Sequence, residues 1–451
     1  METVSERARE IPVIHQADVC VVGGGCTGVF AAVRAARLGA RVAIVENNGF
    51  FGGVATAGLV NIWHSLHDDR GDRQVIGGLT QEVIERLSRR DAVSHQDSRG
   101  AAYVLNTEEL KLELDELVRE AAVRPFLHAR FVAPVMQERQ LDAIVIEDKT
   151  GRRAIGARYF VDATGDGDLV ERMGLATYKL GDPQPPTACA VLEGLAKVSA
   201  AHQGFDLGEE VFNPSYPEAL RDGFLWSSHL TGSDDLIMVA GTRVNNADCS
   251  DADRLTQAEM EARRQVRVML DILRKNVKRG NEVFLRGLPA YIGIRETRHA
   301  RCLHTLTETE LLEGERFEDA IANGTYRVDI HHSDRPGLTF RYLDGREEYV
   351  APGKPTVQSR WRAVGRECAT FYQIPYRSLI PEQAANVLVA GRLVDADRGA
   401  YGAIRVMVNC NQTGEAAGVA CFLALQNGLD VKDVPANRLR SVLRDGGSIM
   451  L

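Results

Sequence analysis

The sequence predicts an α/β fold in which one domain with a parallel sheet is interleaved with a second domain of the α+β type. Near the start, the short β-branched run Val19–Val22 precedes a glycine-rich turn, a small-residue helix and a second strand. From Phe126 onward the hydrophobic pattern alternates, which predicts a three-stranded meander. Residues 385–392 again give a strand that ends in glycine. Together these observations place both ends of the chain in one Rossmann-like domain.

The same patterns suggest domain boundaries. We assign residues 12–170 to the first part of the Rossmann-like domain, with an insertion of loops and helices at 54–105. Residues 171–369 form the α+β domain, which we expect to act as a cap on the substrate side. Residues 370–451 then complete the first domain.

Composition limits the possible functions. The 451 residues are 44% hydrophobic, which is enough for a large core, and the formal net charge is −8. An acidic chain disfavours nucleic acid as the main partner, because phosphate backbones require a basic surface. The eight cysteines include no CxxC pair, so their spacing predicts neither a zinc knuckle nor a redox disulfide. No apolar run approaches the roughly 18–20 residues of a membrane span, and no signal peptide is recognisable. We therefore expect a cytoplasmic protein.

The first turn carries the pattern GxGxxG at Gly23, Gly25 and Gly28. In such a turn the first glycine makes the tight bend, the second admits a pyrophosphate to the backbone, and the third lets the helix lie close to the sheet. The helix N-terminus presents free N–H groups to the anion. Glu46 ends the second strand, 23 residues after Gly23, where a carboxylate can accept hydrogen bonds from a ribose. The pattern predicts a dinucleotide site but does not choose between NAD and FAD.

Three further segments extend this site. A loop rich in glycine begins at Asn47 and is better suited to wrap a long, extended cofactor than to form a helix or strand. The meander's last strand ends in Ala163-Thr164-Gly165-Asp166, where glycine lets a ligand touch the backbone. The segment from Gly402 to Asn427 predicts one long helix of small residues, and its N-terminus near Ala403 would direct a positive dipole at a developing anion.

Four stretches of the chain together resemble the FAD-dependent oxidoreductases whose fold is like glutathione reductase and p-hydroxybenzoate hydroxylase. They are VVGGGCTG with VE after it, FFGGVATAG, VDATGDGDL, and VLVAGR with GAIRVMVNCNQTGEAAGVA. The stretches GIRETRHARC and IPYRSLIP add to the likeness, which spans nearly the whole chain. The resemblance implies a ββα sandwich with a β-meander and FAD as the cofactor. The acidic and basic pair Asp397-Arg398 departs from the smaller, neutral residues of many relatives.

The resemblance also implies which residues would contact FAD. The glycines of the first turn would hold the pyrophosphate, Glu46 with Asn47 the adenosine side, and the remaining contacts would follow along the cofactor. These are Gly53 and Thr56 at its middle, Val132 at adenine, Ala163, Gly165 and Asp166 at the second nucleotide contact, Gly391 and Arg392 at the ribityl and pyrophosphate, and Ala403, Arg405 and Val406 at the isoalloxazine.

The chemistry follows from what the chain lacks. A second GxGxxG between strand and helix is missing, as is CxxC, so neither an NADH domain nor disulfide reduction is indicated. We expect an oxidase or dehydrogenase that transfers a hydride from a small organic molecule to flavin N5. The alternatives are a monooxygenase or reductase that uses NAD(P)H transiently, a tRNA-modifying flavoprotein, and a flavoprotein without catalysis. We therefore expect the partner to be a small-molecule substrate, and neither nucleic acid nor a membrane. The sequence leaves the oligomeric state open, and a homodimer is one of the alternatives.

Three residues are candidates for catalysis. Arg405 would stabilise negative charge at the N1–C2=O edge of the flavin, or instead be a phosphate or surface arginine. His64 would be a general base or a covalent attachment point, and a hydrogen-bonded loop histidine is the favoured alternative. The basic run at Arg295 and Arg298 would bind a substrate carboxylate or, the favoured alternative, form a solvated face. The Asp-x-His-His run at residues 329–332 has low specificity, so we predict no metal site.

Overall fold

The computed structural model describes residues 2–96, 102–221, 223–332, 334–365 and 367–451. Residues 97–101, which fall in the predicted insertion, lie outside the described residues. Within the described ranges, none of the helices has the length and apolar character required to cross a membrane.

The first part of the chain alternates strands and helices. Its elements are β1 Val13–Val22, α1 Cys26–Arg37, β2 Val42–Val45, β3 Ile62–Trp63, α2 Gly78–Ser88, β4 Val93–Gln96, β5 Ala102–Leu105, α3 Thr107–Glu120, β6 Arg124–Phe126, β7 Arg130–Gln137, β8 Gln140–Asp148, β9 Gly151–Asp162 and α4 Asp168–Arg172.

The middle of the chain is richer in antiparallel strands. Its elements are β10 Thr177–Tyr178, β11 Ala190–Glu193, α5 Leu195–Ala201, α6 Leu207–Val211, β12 Trp226–His229, β13 Leu236–Ala240, α7 Ala252–Asn276, β14 Phe284–Gly287, β15 His299–Ala300, α8 Glu308–Glu313, β16 Ala320–Gly324, β17 Val328–His331, β18 Leu338–Arg341, β19 Arg346–Val350 and β20 Val357–Arg360. The last part contains β21 Tyr372–Pro375, β22 Val387–Val389, α9 Arg398–Ile404, α10 Met407–Asn427 and α11 Ala436–Asp445.

A seven-stranded sheet joins the two ends of the chain, as the sequence predicts. Strands β6, β2, β1 and β9 are parallel neighbours, and β22 from the end of the chain pairs in parallel with the last residues of β9. Strands β7, β8 and β9 form the predicted antiparallel meander. The strand β9 therefore belongs to both the parallel sheet and the meander.

The parallel sheet has a different layer on each face. Val19 and Val21 of β1 share a hydrophobic core with α1, α3 and α10, whereas Cys20 and Val22 face the apolar residues of the meander. This alternation follows from the two-residue period of a strand. The result is a helical layer, a parallel sheet and a second β layer, which confirms the predicted ββα sandwich.

The helices α1 and α10 touch backbone to backbone. A Cβ atom on Gly414 would lie 2.1 Å from the carbonyl oxygen of Thr27, and one on Gly418 would lie 2.2 Å from that of Ala31. Only glycine allows helices to approach so closely. A buried ion pair between Arg34 and Glu415 fixes the same contact, and Leu79 N–H donates to the Glu415 carboxylate at 3.0 Å.

The middle segment contributes to two cores. The antiparallel sheet β12-β13-β11-β14 packs against α7 and forms a core of its own. Residues 306–343, by contrast, add apolar side chains to the core of the Rossmann-like domain, and β16 pairs with β21. The second domain is thus α+β, while the boundaries drawn from the sequence stay a prediction.

Candidate cofactor and substrate site

A cleft of about 650 Å³ opens at the carboxyl ends of the parallel strands. Ligands of open α/β sheets bind at this edge, because the loops that follow the strands converge there. Of the residues predicted to contact a cofactor, eleven line the cleft: Gly23, Gly25, Glu46, Asn47, Gly53, Ala163, Gly165, Asp166, Gly391, Arg392 and Arg405.

The glycines of the first turn allow close backbone contacts. Gly23 has a φ of +103°, and a Cβ atom there would lie 2.4 Å from the Ala163 carbonyl oxygen. A Cβ atom on Gly28 would lie 1.8 Å from the carbonyl oxygen of Gly23. Gly28 therefore packs α1 against the turn and does not line the cleft, whereas Gly25 lines it.

Glu46 lies at the end of β2 with its carboxylate already engaged. One oxygen accepts from Gly24 N–H at 2.6 Å, and the other accepts from the backbone and side-chain N–H groups of Asn48, both at 2.7 Å. Burial raises the pKa of Glu46, and these N–H donors act against that rise. An ionised carboxylate has about four lone-pair sites, and these three donors leave about one of them for a ribose hydroxyl.

Arg392 has a buried nitrogen without a partner. Its Nη2 donates to Asp166 Oδ1 at 3.2 Å, but Nη1 is buried and makes no hydrogen bond to any residue that the structure describes. Burial by itself would lower the pKa of Arg392, but the Asp166 carboxylate raises it above the usual value. A charged, half-satisfied guanidinium on the wall of a cleft suits a diphosphate.

Asn411 is a site residue that the sequence analysis missed. It lies in the second turn of α10 and lines the cleft. Both its Nδ2 and Oδ1 atoms are buried, and neither has a partner in the part of the chain that the structure describes. A side-chain amide offers one donor face and one acceptor. The available signal was the polar run NCNQTG within an otherwise small-residue helix.

The predicted single helix after Gly402 is interrupted, which corrects the position of its N-terminus. Helix α9 ends at Ile404 and α10 begins at Met407, because Val406 is extended with a ψ of 148°. Asn409 Nδ2 donates to the Ala403 carbonyl oxygen at 3.1 Å and so caps the end of α9. The dipole predicted at Ala403 therefore starts at Met407, which lines the cleft, whereas Ala403 and Val406 do not.

Two more predicted cofactor residues do not line the cleft. Thr56 is 1% exposed, and its hydroxyl donates to the Phe51 carbonyl oxygen at 2.7 Å, so it holds the glycine loop. The carbonyl oxygen of Val132 accepts a hydrogen bond from Arg172, and the preceding residues 129–131 line the cleft instead. The predicted contact at Val132 is therefore corrected to residues 129–131, at the start of β7.

Asp397 and Arg398, the departure noted in the sequence, have structural partners. Asp397 caps α9 by accepting from Ala400 N–H at 2.9 Å, and its other oxygen accepts from Glu308 N–H at 2.8 Å. Arg398 pairs with Asp182 at 2.6 Å. Neither residue lines the cleft.

A buried network extends from the cleft into the middle segment. Arg405 Nη2 donates to Asp329 Oδ2 at 3.0 Å, and Tyr326 Oη donates to the same oxygen at 3.0 Å. His331 Nε2 lies 3.3 Å from Asp329 Oδ1. Although burial opposes ionisation, the guanidinium groups of Arg405 and Arg327 help to hold the pKa of Asp329 well below its usual range. Burial lowers the pKa of His331 to about 3, so it is neutral.

Arg243 and Arg295 meet on one hydroxyl group beside this network. Thr187 Oγ1 accepts from Arg243 Nη1 at 2.8 Å and from Arg295 Nη1 at 2.6 Å. Arg243 is 4% exposed, and its Nε lies 3.4 Å from His331 Nδ1. Burial lowers the pKa of Arg243 to about 10; burial and the charge of Arg243 lower that of Arg295 well below its usual value.

The solvated-face interpretation of the basic run is wrong. Glu296, Thr297 and His299 are at most 3% exposed, and Arg295 donates inward to the Pro185 carbonyl oxygen at 2.5 Å. Arg298 instead holds the cleft wall by donating to the Asp166 carbonyl oxygen at 3.0 Å. Glu296 pairs with His299 within the run at 3.1 Å, whereas the partners of Arg295 and Arg298 come from other segments of the chain.

His64 lies in a second cavity of about 540 Å³ and does not line the cleft. Its ring packs against Tyr326 with centroids 4.1 Å apart, and its buried Nδ1 has no partner. Burial and the charge of Arg327 lower the pKa of His64 to about 3. The favoured hydrogen-bonded loop histidine is therefore not what is found, and a role as general base stays a prediction.

The cleft residues fit FAD. Two polar groups on the cleft wall, Arg392 Nη1 and the Asn411 amide, are buried without a partner among the described residues. The guanidinium nitrogen matches a diphosphate, and the amide matches a ring with amide-like edges. Gly25 and Gly53, which both line the cleft, approach each other closely, since a Cβ atom on Gly53 would lie 3.0 Å from the Gly25 Cα. Among the described residues, no group of three or more His, Cys, Asp or Glu side chains is placed to hold a metal ion.

Comparison with known proteins agrees with this fit. The sequence profile of a family described as FAD dependent oxidoreductase matches residues 18–443. Dihydrolipoyl dehydrogenase from Trypanosoma brucei brucei is 30% identical over 109 residues, which are 22% of this chain and 23% of that protein. The chain thus spans about a quarter of the length of the curated relative it matches.

Solved structures resemble the chain over most of its length. One is a geranylgeranyl bacteriochlorophyll reductase-like protein from Thermoplasma acidophilum, with 11% identity, 96% of this chain and 84% of that chain covered, and a TM-score of 0.47. Another is p-nitrophenol 4-monooxygenase from Pseudomonas putida DLL-E4, with 10% identity, 96% and 86% covered, and a TM-score of 0.45.

Proposed function

This chain belongs to the FAD dependent oxidoreductase family, and we propose that it oxidises a small organic molecule by hydride transfer to the flavin N5 of FAD held in the cleft. The observation that carries the proposal is the pair of unpartnered polar groups on the cleft wall, Arg392 Nη1 and the Asn411 amide. A buried polar atom without a partner is costly unless a ligand completes it.

The proposed FAD orientation follows the cleft from one end to the other. Glu46 and Asn47 hold the adenosine side, and the backbone of residues 129–131 lies against adenine. Gly23, Gly25 and the first turn of α1 bind the pyrophosphate together with Arg392, whose charge Asp166 steadies. Gly391 and Gly53 let the middle of the cofactor lie against backbone.

The far end of the cleft would hold the isoalloxazine. FAD supplies the two-electron chemistry there, accepting a hydride at N5. Arg405 directs positive charge into this end while Asp329 keeps its guanidinium in place at 3.0 Å. The first turn of α10 adds backbone N–H groups next to Met407, and the Asn411 amide orients the ring.

The substrate side is formed by the middle segment, as a cap would require. Ile294 and Tyr291 line the cleft from that segment, and Arg295 follows directly in the chain. The partner we propose is accordingly a small molecule, since a net charge of −8 disfavours nucleic acid, whose phosphates require a basic surface.

The visible spectrum of the purified protein tests the cofactor. We expect flavin absorption, with FAD and no other flavin released on denaturation. A colourless protein that stays colourless with added FAD would contradict the proposal.

Anaerobic reduction tests the reaction class. Alcohols, amines and acids are added in turn, and we expect at least one to bleach the bound flavin, with air restoring the colour or an artificial acceptor turning over. Bleaching by NADPH alone would instead indicate the transient use of NAD(P)H by a monooxygenase or reductase.

A further inference from the structure

We propose that the substrate carries a carboxylate, and that Arg243 and Arg295 bind it beside the cleft. The inference rests on the proposed function for the reaction and adds the class of substrate. Its basis is the meeting of two guanidinium groups on Thr187 Oγ1 without an acid to balance them.

None of the residues that the structure describes forms an ion pair with either arginine. Within the described ranges, no carboxylate oxygen lies within 4.0 Å of a nitrogen of Arg243 or Arg295. The neighbouring Arg405, by contrast, lies 3.0 Å from Asp329. Asp329 is already shared by Arg405, Tyr326 and His331. Like charges placed together and removed from water are unfavourable unless an anion joins them.

Arg243 also keeps an unused donor. Its Nη1 donates to the Thr242 carbonyl oxygen at 2.6 Å and to Thr187, and its Nε faces His331. Its Nη2 is buried and has no partner among the described residues. A purely structural arginine at 4% exposure would have its N–H groups satisfied. The free Nη2 supplies the hydrogen bond that a carboxylate oxygen accepts.

Arg243 and Arg295 are not among the residues that line the cleft, but their neighbours reach its wall. Arg295 directly follows Ile294, which lines the cleft, and its carbonyl oxygen accepts from Tyr401 Oη at 2.7 Å. Thr187 pairs with Gly293, whose Cβ position would lie 3.7 Å from Val54, another cleft residue. A carboxylate on these arginines therefore directs the rest of a small molecule toward the end where Arg405 lies.

Ligand pairs that differ only in charge test the inference on the intact, cofactor-containing protein. The probes are acetate with acetamide, propionate with propionamide, benzoate with benzamide, and inorganic phosphate. Binding is measured by the shift in melting temperature and by isothermal titration calorimetry. We expect at least one carboxylate to bind at least tenfold more tightly than its amide. Equal binding in every pair, or binding of phosphate without any carboxylate, would overturn the inference.

Substitutions then locate the binding. We expect Arg243→Met and Arg295→Met each to weaken the carboxylate at least tenfold while leaving amide binding as it is. Arg243→Lys, which keeps the charge but not the planar fork, should lose less. Arg264→Met on the outer face of α7, where the side chain is 64% exposed, is the matched control and should change nothing. Unchanged carboxylate binding in the folded Met variants would show that the arginines are structural.

The outcomes separate the inference from the proposed function. A protein that binds carboxylates through these arginines but is bleached by no donor contradicts the proposed reaction alone. A flavin that neutral alcohols or amines bleach without any preference for a carboxylate contradicts the inference alone.

Discussion

Arg405 on the cleft wall and Asp329 in β17 form an ion pair of 3.0 Å that connects the Rossmann-like domain with the middle segment. Tyr326 and His331 contact the same carboxylate. A substitution at Arg405 therefore also affects the residues that surround Asp329. The pair is the point at which the cofactor cleft and the buried arginine network meet.

Removing the positive partner of this pair should destabilise the protein. In Arg405→Met, Asp329 keeps its charge but loses its balancing cation, and breaking a buried ion pair costs about 3 kcal/mol. The free energy of unfolding in urea, at a fixed FAD concentration, measures the loss. The double variant Arg405→Met/Asp329→Asn should regain part of it, and equal stability of the single and double variants would contradict this account.

The close contact between Gly28 and the Gly23 carbonyl oxygen should not tolerate a methyl group. In Gly28→Ala the new Cβ would overlap the carbonyl oxygen of Gly23 at 1.8 Å, so α1 must move off the turn. We expect a loss of about 3 kcal/mol or more in unfolding free energy, together with weaker FAD binding. Gly181→Ala is the control, because nothing lies within 4 Å of its Cβ position. A Gly28→Ala protein as stable as the control would be evidence against the close packing.

Arg392 should contribute to FAD affinity through its free Nη1. Loss of a hydrogen bond to a charged group costs about 1.5–3 kcal/mol, so Arg392→Met should raise the FAD dissociation constant roughly 10–100-fold. Flavin fluorescence during titration of the FAD-free protein gives the constant. Arg119→Met, a surface arginine 71% exposed, should leave it unchanged. If Arg392→Met binds FAD as the wild type does, its guanidinium does not contact the cofactor.

Asn411 and Asn409, half a turn apart on α10, should respond in opposite ways. Asn411→Leu removes an amide without partners, so the FAD-free protein should be at least as stable while FAD binds more weakly. Asn409→Leu removes an amide bonded to Tyr372 Oη at 2.9 Å and to Ala403, and should lower stability by about 1–3 kcal/mol. Melting temperatures without FAD distinguish the two. Similar losses in both variants would mean that Asn411 is structurally bonded.

His64 should make stability depend on pH. Its pKa is lowered to about 3 by burial, whereas an unfolded histidine titrates near 6.5, so the unfolded state alone takes up a proton between these values. The stabilisation is complete above about pH 6.5 and falls by about 1.4 kcal/mol per pH unit as the pH decreases toward 3. Urea unfolding at pH 7, 6 and 5 should show a shallower slope for His64→Gln than for the wild type. His202→Gln, at an exposed histidine, is the control and should keep the wild-type slope. Equal slopes for His64→Gln and the wild type would mean that His64 titrates as it does in solvent.

The parts of the site that the sequence predicted depend on local backbone geometry. The turn at Gly23 and Gly28 and the acid at Glu46 are recognisable because a tight turn, a close helix and a strand end each require a particular residue type at a fixed spacing. The strand that ends at Gly391 was found in the same way. These requirements are met within a few residues, so periodicity and glycine placement were sufficient.

The parts that the sequence missed depend on tertiary contacts. The break between α9 and α10 lies at the extended Val406, where Asn409 donates back to the Ala403 carbonyl oxygen. The convergence of Arg243 and Arg295 on Thr187 joins three distant segments and has no local pattern. The burial of the basic run was missed for the same reason, since its neighbours come from elsewhere in the chain.

The pairing of β22 with β9 and of α10 with α1 has a consequence for biosynthesis. Residues 23–28 leave the ribosome early, but the wall that carries Arg392 and Asn411 is translated hundreds of residues later. A nascent chain thus holds only half of the cleft, and its unclosed sheet edge stays exposed until the partner strand emerges. The cleft is therefore complete only after residue 411 has been synthesised.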